Sequence, residues 1–440
     1  MTKVALVVIY NHRYDRNIDI VERIHGGRFS HIFHLMPFYD GDRANVIPVY
    51  ENSYYFQGYV AQAWRALRRD DFTHYFFIAD DLVLNPSIDE RNFLERMGLP
   101  DGRCYIPSTC PFHRRDGFWG RAIMAYEWQP RSPGIEALKQ LPSRADALAL
   151  LRRHRIEVAP VAFEQLWETP ETWRDWLRRA VRDPWFCLRY LKHRVRRETY
   201  ELPYPMVGGY SDIFVVTADV MPRFAHLCGV LSATRLFVEH AIPTALALSA
   251  DAITTDAGLK LRGAALWTAE QMRVLEPYHG SLRALLEGFP AHNLFLHPIK
   301  FTRWVNDLDS RASLPMELEH VLLHPGRRNQ VEGLELLPGA LRFRSTGNDP
   351  YLCLPPVPLE PGRPAWVHVN LTVPTATCAQ LYYLRPGQSR YSEDASVRQG
   401  VRKGRHDLVF VVDDPGDGEL RIDPGGAPGE YQIHAIRVVQ

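Results

Sequence analysis

An apolar run, Phe76-Phe77-Ile78-Ala79, ends in two adjacent acids, Asp80 and Asp81. Paired carboxylates at the carboxyl end of a buried strand stand where open α/β sheets bind ligands. Two hard oxygen ligands suit Mg2+ or Mn2+, which bridges them to a diphosphate; a turn that merely opens on two acids is the bland alternative. Further on, Leu236-Phe237-Val238-Glu239-His240-Ala241-Ile242-Pro243 sets one acid in an apolar helical stretch. A half-buried Glu has a raised pKa, which suits it to take a proton from an acceptor hydroxyl. A structural ion pair with Arg235 competes with that use. Gly208-Gly209-Tyr210-Ser211-Asp212 joins glycines, which permit close backbone approach, to Asp212, a second candidate base able to bind sugar hydroxyls. Near the end of this region stand His297, able to complete a metal shell, and Lys300, one of few lysines in an Arg-dominated chain. A point-like cation suits a leaving diphosphate, although a lone histidine is more often structural.

Strands and helices must hold these groups. Val4 to Ile9, His31 to Phe38, Val46 to Tyr50 and Tyr75 to Ile78 read as strands, the first apolar throughout as expected of a strand covered on both faces. Asn52 or Ser53 can cap a helix that carries Phe56, Tyr59, Val60, Ala63, Trp64 and Leu67 on one side. Ser87 to Glu90 has capping-box spacing and predicts another helix start. Alternating strands and helices indicate an α/β layer with a mainly parallel sheet.

At this point the sequence resembles glycosyltransferases of the GT-A fold, in which a nucleotide-binding α/β half ends its fourth strand in an Asp-x-Asp motif. Here the triplet is Ala79-Asp80-Asp81, so the first acid is absent, and the last, usually the direct metal ligand, is Asp81. The resemblance implies a divalent metal (Mn2+ or Mg2+) at Asp81 and His297, and a nucleotide-sugar donor held by Tyr10, Asn11, Asp40, Asp80 and Lys300. It places Gly208 to Asp212 beneath the donor sugar, and Glu239 where inverting enzymes keep their base. It further implies a glycan or lipid-linked glycan acceptor and bacterial surface-polysaccharide assembly.

Residues from about 130 to 200 form a helical insertion dense in Arg and Trp, including Trp173, Trp176, Arg178, Arg179, Arg182, Trp185, Arg189, Lys192, Arg194 and Arg196. Three uses are open: an interface with anionic lipid, a grip on an acidic glycan, or a solvated basic face whose tryptophans pack on the α/β domain. The last is narrowly preferred. His113, Arg114, Arg115, Trp119 and Tyr126 are expected on the acceptor side. After about residue 320, short alternating runs between Pro/Gly turns predict an antiparallel, jelly-roll-like β-sandwich. In one of them Val367, Val369, Leu371 and Val373 face one way, and in the last run the parity slips between Ile433 and Ile436, predicting a bulge. Trp366, Tyr382 and Tyr391 are this domain's candidate glycan-binding aromatics, with docking or scaffolding a use of at least equal weight. The expected division is 1–318 for the GT-A-like domain and 319–440 for the sandwich.

The 440 residues carry 52 Lys plus Arg against 51 Asp plus Glu, so nothing draws the chain as a whole to nucleic acid. Six cysteines without metal-site or disulfide spacing favour a reducing cytoplasm. No apolar run approaches the roughly 20 residues of a membrane span, which leaves peripheral contact as the form a membrane association would take. Three rivals to an inverting glycosyltransferase stay open. A nucleotidyltransferase would usually show a Gly-rich phosphate loop after the first strand, and residues 10–17 contain no Gly. A retaining transferase would not need Glu239 as base. A non-catalytic glycan-binding protein would tolerate the missing first Asp.

Overall fold

The computed structural model describes residues 3–114, 119–131, 134–162, 173–196, 199–308, 313–360, 363–416 and 418–440. Arg115 lies outside them, as do the side chains of Trp119, Arg178, Arg179, Arg182, Arg189 and Arg196. The chain divides into two compact units: Met1–Ala264 with Ala291–His297, and Ala265–Pro290 with Pro298–Gln440. The second unit thus takes in helical segments that precede the boundary expected at residue 318.

In the first unit, β1 (Val4–Ile9), β2 (His31–Pro37), β3 (Val46–Val49) and β4 (His74–Ala79) run parallel in the order β3-β2-β1-β4. Every residue of β1 and β4 is buried, as the unbroken apolar runs require when helices cover both faces. Each large apolar side chain buried this way stabilises the sheet by about 1.5–3 kcal/mol. Two short strands follow, β5 (Val83–Leu84) and β6 (Cys104–Tyr105). The sheet is mixed, with one strand reversed in an otherwise parallel order: β7 (Ile213–Thr217) runs antiparallel to both β4 and β6, and β8 (Ile253–Thr254), parallel to β6, then closes the order β4-β7-β6-β8. The reversal matters for chemistry: β7 begins where β4 ends, with Ile213 opposite Ile78. The segment leading into it therefore shares the rim on which β1 to β4 finish. A smaller sheet, β5-β10-β9, is built from β9 (Arg262–Ala265) and β10 (Asn293–His297), and β10 pairs with β5 just past the two acids.

The helix Gln57–Leu67 buries Tyr59, Val60, Ala63 and Leu67 as its spacing predicts. Asn52 caps a preceding 3-10 turn instead of the helix, its side chain accepting from the Tyr54 N–H. Ser87 to Glu90 opens no helix. Asn85 Oδ1 accepts from the Ser87 N–H and Asp89 Oδ1 from those of Arg91 and Asn92, so side-chain turns occupy the segment and the helix starts at Phe93. The described part of the 130–200 stretch contains the helices Ala137–Gln140, Arg144–Arg153, Trp173–Arg182 and Pro184–Arg196. No helix among the described residues is long and apolar enough to cross a membrane, and none of the six cysteines is in a disulfide.

In the second unit two antiparallel sheets face each other. One is β13 (Val331–Leu337), β14 (Ala340–Ser345), β21 (Gly429–Val439), β16 (Ala365–Val373) and β19 (Gly404–Val412), with β11 (Ser313–Met316) beside the far half of β21. The other is β12 (Arg328–Asn329), β15 (Tyr351–Cys353), β20 (Leu420–Asp423), β17 (Thr377–Tyr383) and β18 (Ser396–Val401). Val367, Val369, Leu371 and Val373 all enter the core between them. The bulge is present at His434: Asn370 pairs with Ala435 and Leu371 with Ile433, so one residue is extra. It lets Ile433 and Ile436 both reach the core. Trp366 is not exposed but packs with Val305, Val409 and Val439, and Tyr382 is buried with its hydroxyl on Glu393 Oε1 at 2.6 Å. Tyr391 is half-buried.

Candidate functional site

Parallel β1 and β4 end side by side, and their exits are tied together. The Asp80 N–H donates to the Ile9 carbonyl (2.9 Å) and the Ala79 N–H to the Asp212 carbonyl (2.8 Å). Asp80 and Asp81 are both buried, 3% and 4% exposed. Asp80 accepts from Asn17 Nδ2 at 3.1 Å. Asn17 belongs to the helix Asp15–His25 and shares its buried stripe with Ile18, Val21 and Ile24. An amide inside an apolar stripe is the sequence signal that would have found it.

The Asp81 carboxylate meets His297, which β10 carries back to the rim: Nε2 lies 2.9 Å from Oδ1. With Nε2 donating to Asp81, Nδ1 accepts the Tyr210 hydroxyl at 2.6 Å. Asp212 Oδ2 stands 3.8 Å from the same Nδ1. The Tyr210 ring is fixed by stacking on Phe295, with centroids 5.8 Å apart and planes 10° apart. Burial first, then the negative charges of Asp212, Asp81 and Glu239, push the Tyr210 hydroxyl pKa far up. Three acids distant in sequence thus act on one phenol. Tyr210 was named only as part of the glycine segment; nothing in its own sequence context marked its hydroxyl as the meeting point.

Glu239 lies in the first turn of the helix Val238–Ser249. Its own backbone carbonyl accepts the Gly209 N–H at 2.9 Å, which locks the helix start to the glycine segment. Burial and the neighbouring Asp212 raise its carboxyl pKa to about 7, with Arg121 pulling the other way. It is not held by Arg235, which pairs with Glu51 at 2.7 Å and lies over the Tyr55 ring. Gly209 is required sterically: a Cβ there would stand 2.2 Å from the Ser108 carbonyl oxygen. A Cβ on Gly208 would meet the Phe112 ring at 3.2 Å and the Cys110 carbonyl oxygen at 3.6 Å.

The remaining expected residues lie along the same rim or beyond it. Tyr10 is fully buried and its hydroxyl takes His34 Nδ1 at 2.9 Å, so the ring belongs to the core and does not open onto the rim. Asn11 is half-exposed directly after β1. Asp40 is exposed and ion-paired with Arg13 at 2.5 Å. Beside it, Phe38 adopts the left-handed φ of 55°, a strained conformation for an aromatic residue. It stays 60% exposed and meets the equally open Tyr50 edge-on at 6.0 Å. This aromatic pair at the ends of β2 and β3 escaped the sequence reading. Lys300 is exposed and belongs to the second unit.

Carboxylates and an imidazole at Asp81, Asp212 and His297 are donors that Mn2+ or Mg2+ accepts, so the residue types fit. An ion held by Asp81 and His297 would replace their hydrogen bond. Among the described residues no group of three or more His, Cys, Asp or Glu is already disposed around a common point.

No family model and no curated protein matches the chain. Solved structures similar to part of it include carbohydrate-binding modules. The CBM1 module of BiXyn10A is 12% identical and covers 29% of this chain and 96% of its own, at a TM-score of 0.22. The C-terminal CBM6 of LamC, a marine laminarinase from Zobellia galactanivorans, is 14% identical over 29% and 100%, at 0.23. The second N-terminal cellulose-binding domain of β-1,4-glucanase C from Cellulomonas fimi is 16% identical over 30% and 97%, at 0.23.

Proposed function

We propose that the chain is a glycosyltransferase that moves a sugar from a nucleotide-sugar donor to a saccharide or lipid-linked saccharide acceptor, with inversion. One observation carries the reading. Glu239, with a carboxyl pKa raised to about 7, acts together with Asp212 and Asp81 on the Tyr210 hydroxyl. A carboxylate poised near neutral pH takes a proton efficiently from an alcohol. In this mechanism Glu239 removes the acceptor hydroxyl proton and the oxygen attacks the anomeric carbon. The bond to the diphosphate breaks on the opposite face, and its electron pair leaves with the diphosphate. Asp212 orients sugar hydroxyls, and Phe38 with Tyr50 offers an aromatic surface to the base. Asp81 and His297 would hold a divalent cation, whose charge stabilises the departing diphosphate when bound. Lys300 enters no step here.

The second reading, a glycan-binding protein without transfer activity, draws on Ala79 in place of the first acid and on the direct Asp81–His297 hydrogen bond. One experiment separates them. The full chain is incubated with UDP-, dTDP-, GDP- and CMP-sugars, Mn2+ and a saccharide acceptor, and nucleotide release and product anomer are followed. Release with an inverted anomer supports transfer. A retained anomer removes Glu239 as base, and absence of binding to every nucleotide favours the glycan-binding protein.

A further inference from the structure

The helices Trp173–Arg182 and Pro184–Arg196 form a hairpin whose inner side is anchored and whose outer side is not. Tyr190 and Cys187 are buried, Trp176 packs edge-on against Tyr190 at 4.8 Å, and both rings join the core of the first unit. The base is pinned by paired backbone hydrogen bonds between Val161 and Tyr200. Among the described residues of this stretch, Trp176 alone therefore fulfils the expectation that the tryptophans pack on the α/β domain.

Among the described side chains, the other large apolar ones face outward. On the first helix Trp173, Leu177 and Val181, four residues apart and so on one face, are 68%, 55% and 86% exposed. On the second, Trp185, Leu188, Leu191 and Val195 repeat at threes and fours and are 52–84% exposed. Around this stripe stand Arg174, Lys192 and Arg194, all exposed. Both helices carry further arginines in their sequence. The helices have 10 and 13 residues, about half of what a span requires.

We infer that this hairpin is an interfacial membrane anchor that lies flat on an anionic lipid surface. Tryptophan and leucine enter the headgroup boundary, while the flanking cations meet lipid phosphates. Charge complementarity selects this occupant, since a protein partner would need no excess of arginine around its apolar seam. The inference stands on the hairpin alone and is independent of glycosyl transfer.

The test is co-flotation of the full chain with vesicles of phosphatidylcholine alone, or with about one-third phosphatidylglycerol. Binding to the anionic vesicles, weakened by high salt, is expected, with little on the neutral ones. The double variant Trp185→Ser, Leu188→Ser should bind about tenfold more weakly with an unchanged thermal midpoint, because both side chains are already exposed. Lys192→Gln with Arg194→Gln should weaken binding to the anionic vesicles and leave the neutral ones unaffected. Equal binding to both vesicle types, no binding, or wild-type binding by the serine variant overturns the inference. So does self-association in solution that the serine variant abolishes, which would make a second copy the occupant.

Discussion

His297 Nε2 stands 2.9 Å from Asp81 Oδ1 although 216 residues separate them in the chain. Both groups are buried, so the bond is protected from water. Asp81→Asn keeps an oxygen acceptor for the imidazole N–H but removes the charge, whereas Asp81→Ala removes the acceptor. Loss of a buried partner costs about 1–3 kcal/mol. Asp81→Ala should therefore lower the thermal midpoint clearly, and Asp81→Asn much less. Mn2+ should raise the midpoint of the wild type but of neither variant; a response to Mn2+ that survives in Asp81→Asn would move the metal elsewhere.

Glu239→Gln should retain donor affinity while turnover falls by about 10²–10⁴-fold, the usual worth of a general base. In the wild type, activity should rise with pH through about 7, where the Glu239 carboxyl loses its proton. Wild-type turnover in Glu239→Gln would transfer the base to Asp212.

The same carboxyl has a second, activity-independent signature. Burial beside Asp212 lifts its pKa from the ordinary 4.5 to about 7, so between those values the folded state binds more protons than the unfolded one. Stability contributed by the protonated form is present at low pH and declines as pH rises to about 7, by on the order of 3 kcal/mol at most. Glu239→Gln is free of that decline. Denaturant melts should show the variant more stable than the wild type at pH 8, with the advantage gone near pH 5.

Gly209→Ala forces a methyl group to within 2.2 Å of the Ser108 carbonyl. The strand-to-rim segment must shift, which should cost about 1–3 kcal/mol and loosen the Glu239 helix through the Gly209–Glu239 hydrogen bond. Gly208→Ala, whose methyl comes no nearer than 3.2 Å to any neighbour, should melt closer to the wild type. Equal midpoints for the two variants would show that the Ser108 contact is relieved at no cost.

Much of the scaffold was legible because its determinants are local. Continuous apolar runs specify buried strands, the spacing of Tyr59, Val60, Ala63 and Leu67 specifies a helix face, and the parity slip between Ile433 and Ile436 specifies a bulge at His434. Where two local solutions compete, pattern alone misleads. At Ser87 to Glu90 the capping-box spacing was present, but the side chains of Asn85 and Asp89 took the backbone donors first.

The direction of β7 was beyond local reading, since an apolar strand looks alike in either sense. That direction delivers Tyr210 and Asp212 to the rim holding Asp80 and Asp81. Residue type by itself marked Glu239, Asp212, Asp81 and His297 as able to do chemistry. Only tertiary packing determined that Tyr210 lies among them, that Arg235 turns to Glu51, and that Trp173 and Trp185 face outward. The physical reason is that hydrogen-bond partners and burial depend on distance in space, which a chain sets only when its elements close on one another.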